Sequence, residues 1–136
     1  MRTQLPWLGY RYEMKYQLTA LQEAGFDIES TGDMNSGLTL IQKRVYPVVI
    51  VQDWSPTGGL TLPPGIDTND PTELTKYFLT QIRGLPDYTQ TPIIVPHLLH
   101  SNDAKRLQID DLVDLVDVPH ARSVSGCITD AVRKYI

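Results

Sequence analysis

Between Val48 and Val51 four apolar, β-branched residues stand in a row. A run of that length and kind predicts a central strand buried on both faces of a parallel sheet. Gln52 and Asp53 arrive where the strand should end, and Pro56 with the Gly58-Gly59 pair turns the chain at once. In open parallel α/β sheets, ligands and chemistry gather at the carboxyl ends of the strands, which makes Asp53 a candidate site residue. A carboxylate in that place also serves as an ordinary turn cap.

The other elements follow from the same reading. Residues 4–8 (QLPWL) suit a short first strand, which Pro6 should confine to a sheet edge or to the strand's start. Tyr10, Met14, Leu18 and Leu21 fall at helical spacing, with Gly25 as the stop. Phe26 to Ser30 alternates apolar and polar and reads as a strand with one buried side. Asp33 can N-cap a helix over about 34–44, with Leu38 and Ile41 inward. Residues 55–69, rich in Pro and Gly, predict an irregular loop folded over the carboxyl ends of the strands, long for a strand-to-helix connection. Asp70-Pro71-Thr72-Glu73 is a helix start, and Leu74, Phe78, Ile82 and Leu85 supply an inner face before Pro86. Residues 92–95 and 112–116 read as further strands, separated by a short helix from Ser101 or Asn102 to near Gln108. Ser123 can cap a last helix facing inward with Val124, Cys127, Ile128, Ala131, Val132 and Tyr135. Strand and helix alternate five times, and right-handed crossovers turn that order into a five-stranded parallel sheet with helices on both faces.

Composition narrows the classes. The 136 residues suit one domain, 1–136, with 41% hydrophobic and 21% charged residues. A net charge of −4 and no basic run disfavour a nucleic-acid partner. No apolar stretch approaches the ~20 residues of a membrane span, and no signal peptide is evident. The lone cysteine, Cys127, forbids an internal disulfide and sits in an apolar helical pattern as a core residue. The expectation is a cytoplasmic soluble protein, or one domain of a larger one.

Several phrases in order then resemble a response-regulator receiver domain of the CheY-like, flavodoxin-type fold: LTALQEAGFDIES, YPVVIVQDWSP, FLTQIRGLPDYTQTPIIV and DLVDLVDVPH. The resemblance runs from about Tyr10 to Ile136. It implies a three-layer α/β/α sandwich with strand order 2-1-3-4-5 and places Asp53 at the phosphoacceptor position. Receivers hold Mg²⁺ with an acid pair at the end of the first strand, because phosphoryl transfer needs a cation against the phosphate charge. Here that stretch reads Trp7-Leu8-Gly9-Tyr10, and the nearest carboxylate is Glu13. The family's switch hydroxyl aligns with His97, and its lysine with Val118, ahead of the cis-proline candidate Pro119. Pro56 also lies three residues after Asp53 where four are usual, so a slip by one would put Gln52 at the acceptor position.

These departures favour an atypical receiver, a pseudo-receiver that signals by protein contact without phosphorylation, is no enzyme and needs no metal or other cofactor. The alternative is a phosphoacceptor using Asp53 with a rearranged Mg²⁺ site. A small-ligand or flavin binder on the same fold is a third reading, weakened by the lack of a Gly-rich phosphate loop after the first strand. Among other constellations, His97, His100 and His120 lack the arrangement of a metal site. Asp110, Asp111, Asp114 and Asp117 form a solvated acidic face or a patch for a basic partner. Trp54 either packs under the long loop or awaits a partner. By resemblance, residues 100–108 and 122–136, flanking the fifth strand, are the surface for a homodimer or for a protein partner such as a signalling kinase or output domain.

Overall fold

The computed structural model describes residues 2–9, 15–52, 55–97, 104–117 and 126–136. In chain order these form β1 (Gln4–Leu8), α1 (Lys15–Glu23), β2 (Asp27–Thr31), α2 (Met34–Lys43), β3 (Val49–Val51), α3 (Pro71–Arg83), β4 (Ile93–His97), β5 (Val113–Asp117) and α4 (Gly126–Arg133). Short 3-10 turns occupy Pro86–Tyr88 and Ala104–Leu107. The strands make one parallel sheet in the order β2-β1-β3-β4-β5, and among the described residues no helix is long and apolar enough to cross a membrane.

The apolar run at β3 sits at the centre of the sheet and is fully buried. Alternation along the strand sends Val49 and Val51 to one face, where they join Leu8, Met34, Ile41, Phe78, Leu79 and Ile82 beneath α2 and α3. Val48 and Ile50 point the other way, to Leu5, Trp7, Leu21, Ile128 and Val132 beneath α1 and α4. Each fully buried side chain of this kind contributes about 1.5–3 kcal/mol, so the two layers hold the sheet from both sides.

Local chemistry places the helices on that sheet. Asp33 caps α2 by accepting the Ser36 N–H at 2.7 Å. Asp70 caps α3 by accepting the N–H groups of Thr72 and Glu73, with Pro71 opening the helix. The buried face of α3 is Thr75, Phe78, Leu79 and Ile82, with Leu74 only half-buried. The connection between β4 and β5 holds a single 3-10 turn in its described part, anchored by the buried Leu107. Cys127 is half-buried rather than a full core residue.

Pro6 departs from expectation. It lies inside β1, and β1 is flanked by β2 and β3 rather than forming an edge. The bonds Asp27 N–H to Thr3 carbonyl and Gly9 N–H to Thr31 carbonyl show that the odd-numbered residues of β1 face β2. The Leu8 carbonyl accepts from Gln52 N–H, so the even-numbered ones, Pro6 among them, face β3. Pairing with β3 starts only at Trp7 opposite Ile50. The donor that proline lacks therefore falls just ahead of that ladder, and β1 is interior without losing a bond from it.

At the amino-terminal pole of the sheet two side chains gather the loops. Arg83 donates to both carboxylate oxygens of Asp110 at 2.7 and 3.0 Å, and to the carbonyls of Tyr88 and Thr91 at 2.9 and 2.6 Å. The Tyr88 hydroxyl lies 2.6 Å from the Ile41 carbonyl and 2.8 Å from that of Arg44, and accepts the Tyr46 N–H at 3.3 Å. It thereby closes the carboxyl end of α2. Burial of the ring, and next the charge of Glu29, push the Tyr46 phenol up to about 12, and burial also raises Tyr88.

Two outcomes follow from this pole. Arg83→Ala should lower stability by about 2 kcal/mol, read as an earlier urea midpoint with unchanged slope. Arg83→Lys should recover little, since an ammonium cannot span a carboxylate and two carbonyls at once. A raised folded-state phenol contributes stability that is complete below its unfolded pKa of ~10 and is lost as pH rises through the folded value of about 12. Phenolate absorbance should therefore show a late-titrating class that ionises together with loss of the far-UV circular dichroism.

Candidate functional site

The carboxyl pole is assembled where β1 and β3 end together. β1 stops at Leu8, and Gly9 turns away with φ of 119° while its N–H reaches the Thr31 carbonyl. Beside it Gln52, 4% exposed, directs its side-chain oxygen to the indole N–H of the fully buried Trp7 at 3.3 Å. Ser55 closes over Gly9 and is 7% exposed, and its hydroxyl has no hydrogen-bond partner among the described residues. A Cβ at Gly9 would collide with that hydroxyl and lie 3.1 Å from Gln52 Cβ and 3.4 Å from Ser55 Cβ. The end of β1 is thus packed solid, and only glycine has both the backbone conformation and the size for it.

From Ser55 the chain crosses the amino end of α2. Residues 55–70 form neither helix nor strand. The Pro56 and Thr57 carbonyls accept the N–H groups of Met34 and Asn35 at 2.9 and 3.1 Å. Gly58 reverses the chain at φ of 63°, so close to Asp33 that a Cβ would overlap its carboxylate. Asp33 itself is engaged with Ser36, through N–H at 2.7 Å and hydroxyl at 3.0 Å. Further on, the Tyr77 hydroxyl donates to the Thr61 carbonyl at 3.3 Å.

The structure assigns different fates to the sequence-predicted residues. Gln52 is a buried core residue on the Trp7 side of the sheet, so it presents no accessible group. His97 ends β4, with its backbone opposite Asp117. Asp53, Trp54, Glu13, His100, Val118, Pro119 and His120 lie outside the described residues. Two members of the acidic run are paired: Asp110 is held by Arg83, and Asp114 accepts from the Tyr135 hydroxyl at 3.0 Å and lies 3.5 Å from the Lys134 ammonium. Asp111 remains exposed. On the other side of the pole, the Arg106 guanidinium 3.0 Å from Asp70 is the main cause holding that carboxyl below the usual range.

Among the described residues no three His, Cys, Asp or Glu side chains gather as ligands. Trp7 and Leu8 are apolar and buried, Gly9 has no room for a side chain, and the Asp33 carboxylate is committed to its helix. Sequence reasoning missed the contact of Ser55 with Gly9 and that of Gly58 with Asp33. Glycines directly after a strand and within a proline-rich loop were the available signal for close approach.

Sheet order and layering define the CheY-like receiver fold, and solved structures agree. The chain is similar to the chemotaxis response regulator CheY4 of Vibrio cholerae, at 14% identity and a TM-score of 0.68, covering 100% of each chain. It is similar to a response regulator from Desulfuromonas acetoxidans, at 14% identity and a TM-score of 0.65, covering 98% of this chain and 99% of that one. It is also similar to the signal receiver domain of a signal transduction histidine kinase from Syntrophus aciditrophicus, at 14% identity and a TM-score of 0.63, covering 98% and 89%. No protein-family model and no curated protein matches the chain.

The packing at Gly9 gives a direct test. Gly9→Ala should cost about 2–3 kcal/mol, from backbone strain and from the collision with Ser55. Ser55→Gly placed in that background should recover the collision and leave about 1 kcal/mol of strain. Urea unfolding of the two single variants and the double variant measures the coupling.

Proposed function

We propose that this chain is a signalling module on the receiver fold that acts through protein contact without being phosphorylated. The observation that carries the reading is the filled end of β1. Where the resemblance expects an acid pair for Mg²⁺, Leu8 is buried and Gly9 is closed over by Ser55 and Gln52. A carboxylate at position 53 would then meet an anionic phosphodonor without a cation beside it, and the two charges repel. Val118 in place of the lysine removes the counter-charge for an acyl phosphate, and His97 in place of the hydroxyl removes the group that would follow it.

On this reading the chain is no enzyme, carries no cofactor, works in the cytoplasm and binds a protein, such as a signalling kinase or an output domain. The contact surface is residues 100–108 and 122–136 with β5 between them, where Arg133 and Lys134 are exposed. The same surface would serve a homodimer.

Incubation with a small acyl-phosphate donor and Mg²⁺, followed by intact mass, should show no added phosphoryl group. For a partner recovered by pull-down, Asp53→Asn should leave affinity within about tenfold of wild type, a change of ~1.4 kcal/mol, while Arg133→Glu should weaken it more. Phosphorylation of Asp53 that alters partner affinity would replace this reading with the conventional phosphoacceptor.

A further inference from the structure

We propose that Ser55–Thr61 is a built-in strap that holds the carboxyl pole in one closed arrangement, fastening β1, α2 and α3 to one another through the chain's own contacts. The inference concerns conformation and stands whether or not Asp53 is phosphorylated.

The first turn of any helix leaves amide N–H groups without intrahelical acceptors. In α2 three of them, at Met34, Asn35 and Ser36, are occupied from outside the helix. Met34 N–H binds the Pro56 carbonyl, Asn35 N–H binds the Thr57 carbonyl, and Ser36 N–H binds the Asp33 carboxylate. Gly37 N–H then makes the first regular helical bond, to the Asp33 carbonyl. The strap supplies two of these acceptors, and both are backbone groups.

Its other attachments are spaced along its length. At one end Ser55 is buried against Gly9 at the tip of β1. In the middle Gly58, in a conformation that favours glycine, seats directly on the Asp33 cap. The Leu60 N–H closes a turn onto the Thr57 carbonyl at 3.2 Å, and the Leu60 side chain packs on the core beneath α2 and α3. At the other end the Thr61 carbonyl takes the Tyr77 hydroxyl of α3. A connection this long would be expected to be mobile or functional, yet it is stitched to three elements in succession. In a switching protein two arrangements are close in energy and a ligand chooses between them. Here the strap's contacts all favour one arrangement, so a partner arriving at this pole meets a fixed surface.

Amide hydrogen exchange on the intact chain tests this. In wild type, Met34 and Asn35 amides should exchange at least about 100-fold more slowly than unstructured chain, in the range of Gly37. Gly58→Val forces a side chain into Asp33 and should reduce protection at Met34 and Asn35 by at least about tenfold, while Ile50 and Ile94 keep theirs. Should that variant fail to fold, Tyr77→Phe decides instead: Leu60 amide protection should fall while Phe78 and Leu79 stay unchanged. Met34 and Asn35 exchanging at unstructured rates in wild type would overturn the proposal. So would a folded Gly58→Val that leaves them protected, or a Tyr77→Phe that leaves Leu60 unchanged.

Discussion

The described part of the carboxyl pole depends on one missing side chain. Gly9 lets β1 end flush with β3, lets the chain turn at φ of 119°, and lets Ser55 descend onto the strand tip. Gln52 and Trp7 lie under that contact, joined by a buried hydrogen bond. A longer residue at position 9 would lift Ser55, and with it the carbonyls of Pro56 and Thr57 that finish the first turn of α2. Backbone conformation at a single residue therefore propagates into the geometry of a loop, a helix terminus and the space in which a ligand would have to fit.

The charged groups of the described regions are mostly spent on architecture. Asp33 and Asp70 cap helices, Asp110 binds Arg83, and Asp114 meets Tyr135 and Lys134. Such groups are worth more to stability than to chemistry, because a carboxylate already satisfied by fixed donors has little left to offer a metal or a phosphodonor. The two poles of the sheet also differ in kind. At the amino pole Arg83 and Tyr88 gather loop and helix-end carbonyls with side-chain donors, whereas at the carboxyl pole a loop presents its own carbonyls to a helix.

Receiver architecture at 14% identity to CheY4 is understandable on these terms. The fold needs a doubly buried central strand, two layers of amphipathic helices and crossovers of one hand, and many sequences meet those requirements. The chemistry of such a fold resides in a few side chains at one end of the sheet. Those positions can be rebuilt without disturbing the core, since Val49, Ile50, Ile93 and Ile94 make the same layers whatever stands at the strand tips.

Element type and order were legible in the sequence because they depend on local period and local caps. The apolar run at β3, the Asp33 cap and the Asp70-Pro71 helix start all act over a few residues. Strand order 2-1-3-4-5 came from the family resemblance, and the structure has it. Tertiary structure alone decided the rest. Pro6 could enter an interior strand because its missing donor faces a neighbour whose pairing begins one residue later, a matter of register between distant segments. Within the acidic run Asp110 and Asp114 are taken up by Arg83 and Tyr135, residues 27 and 21 positions away from the aspartates they meet. Gln52, polar at the end of an apolar run, turned out to be a core residue because Trp7 offers it an indole N–H. The closed end of β1 exists only once Ser55 is brought back 46 residues later to the glycine it covers. Contacts between residues so far apart leave no period in the chain, since they are set by how whole elements pack and not by what stands next to what.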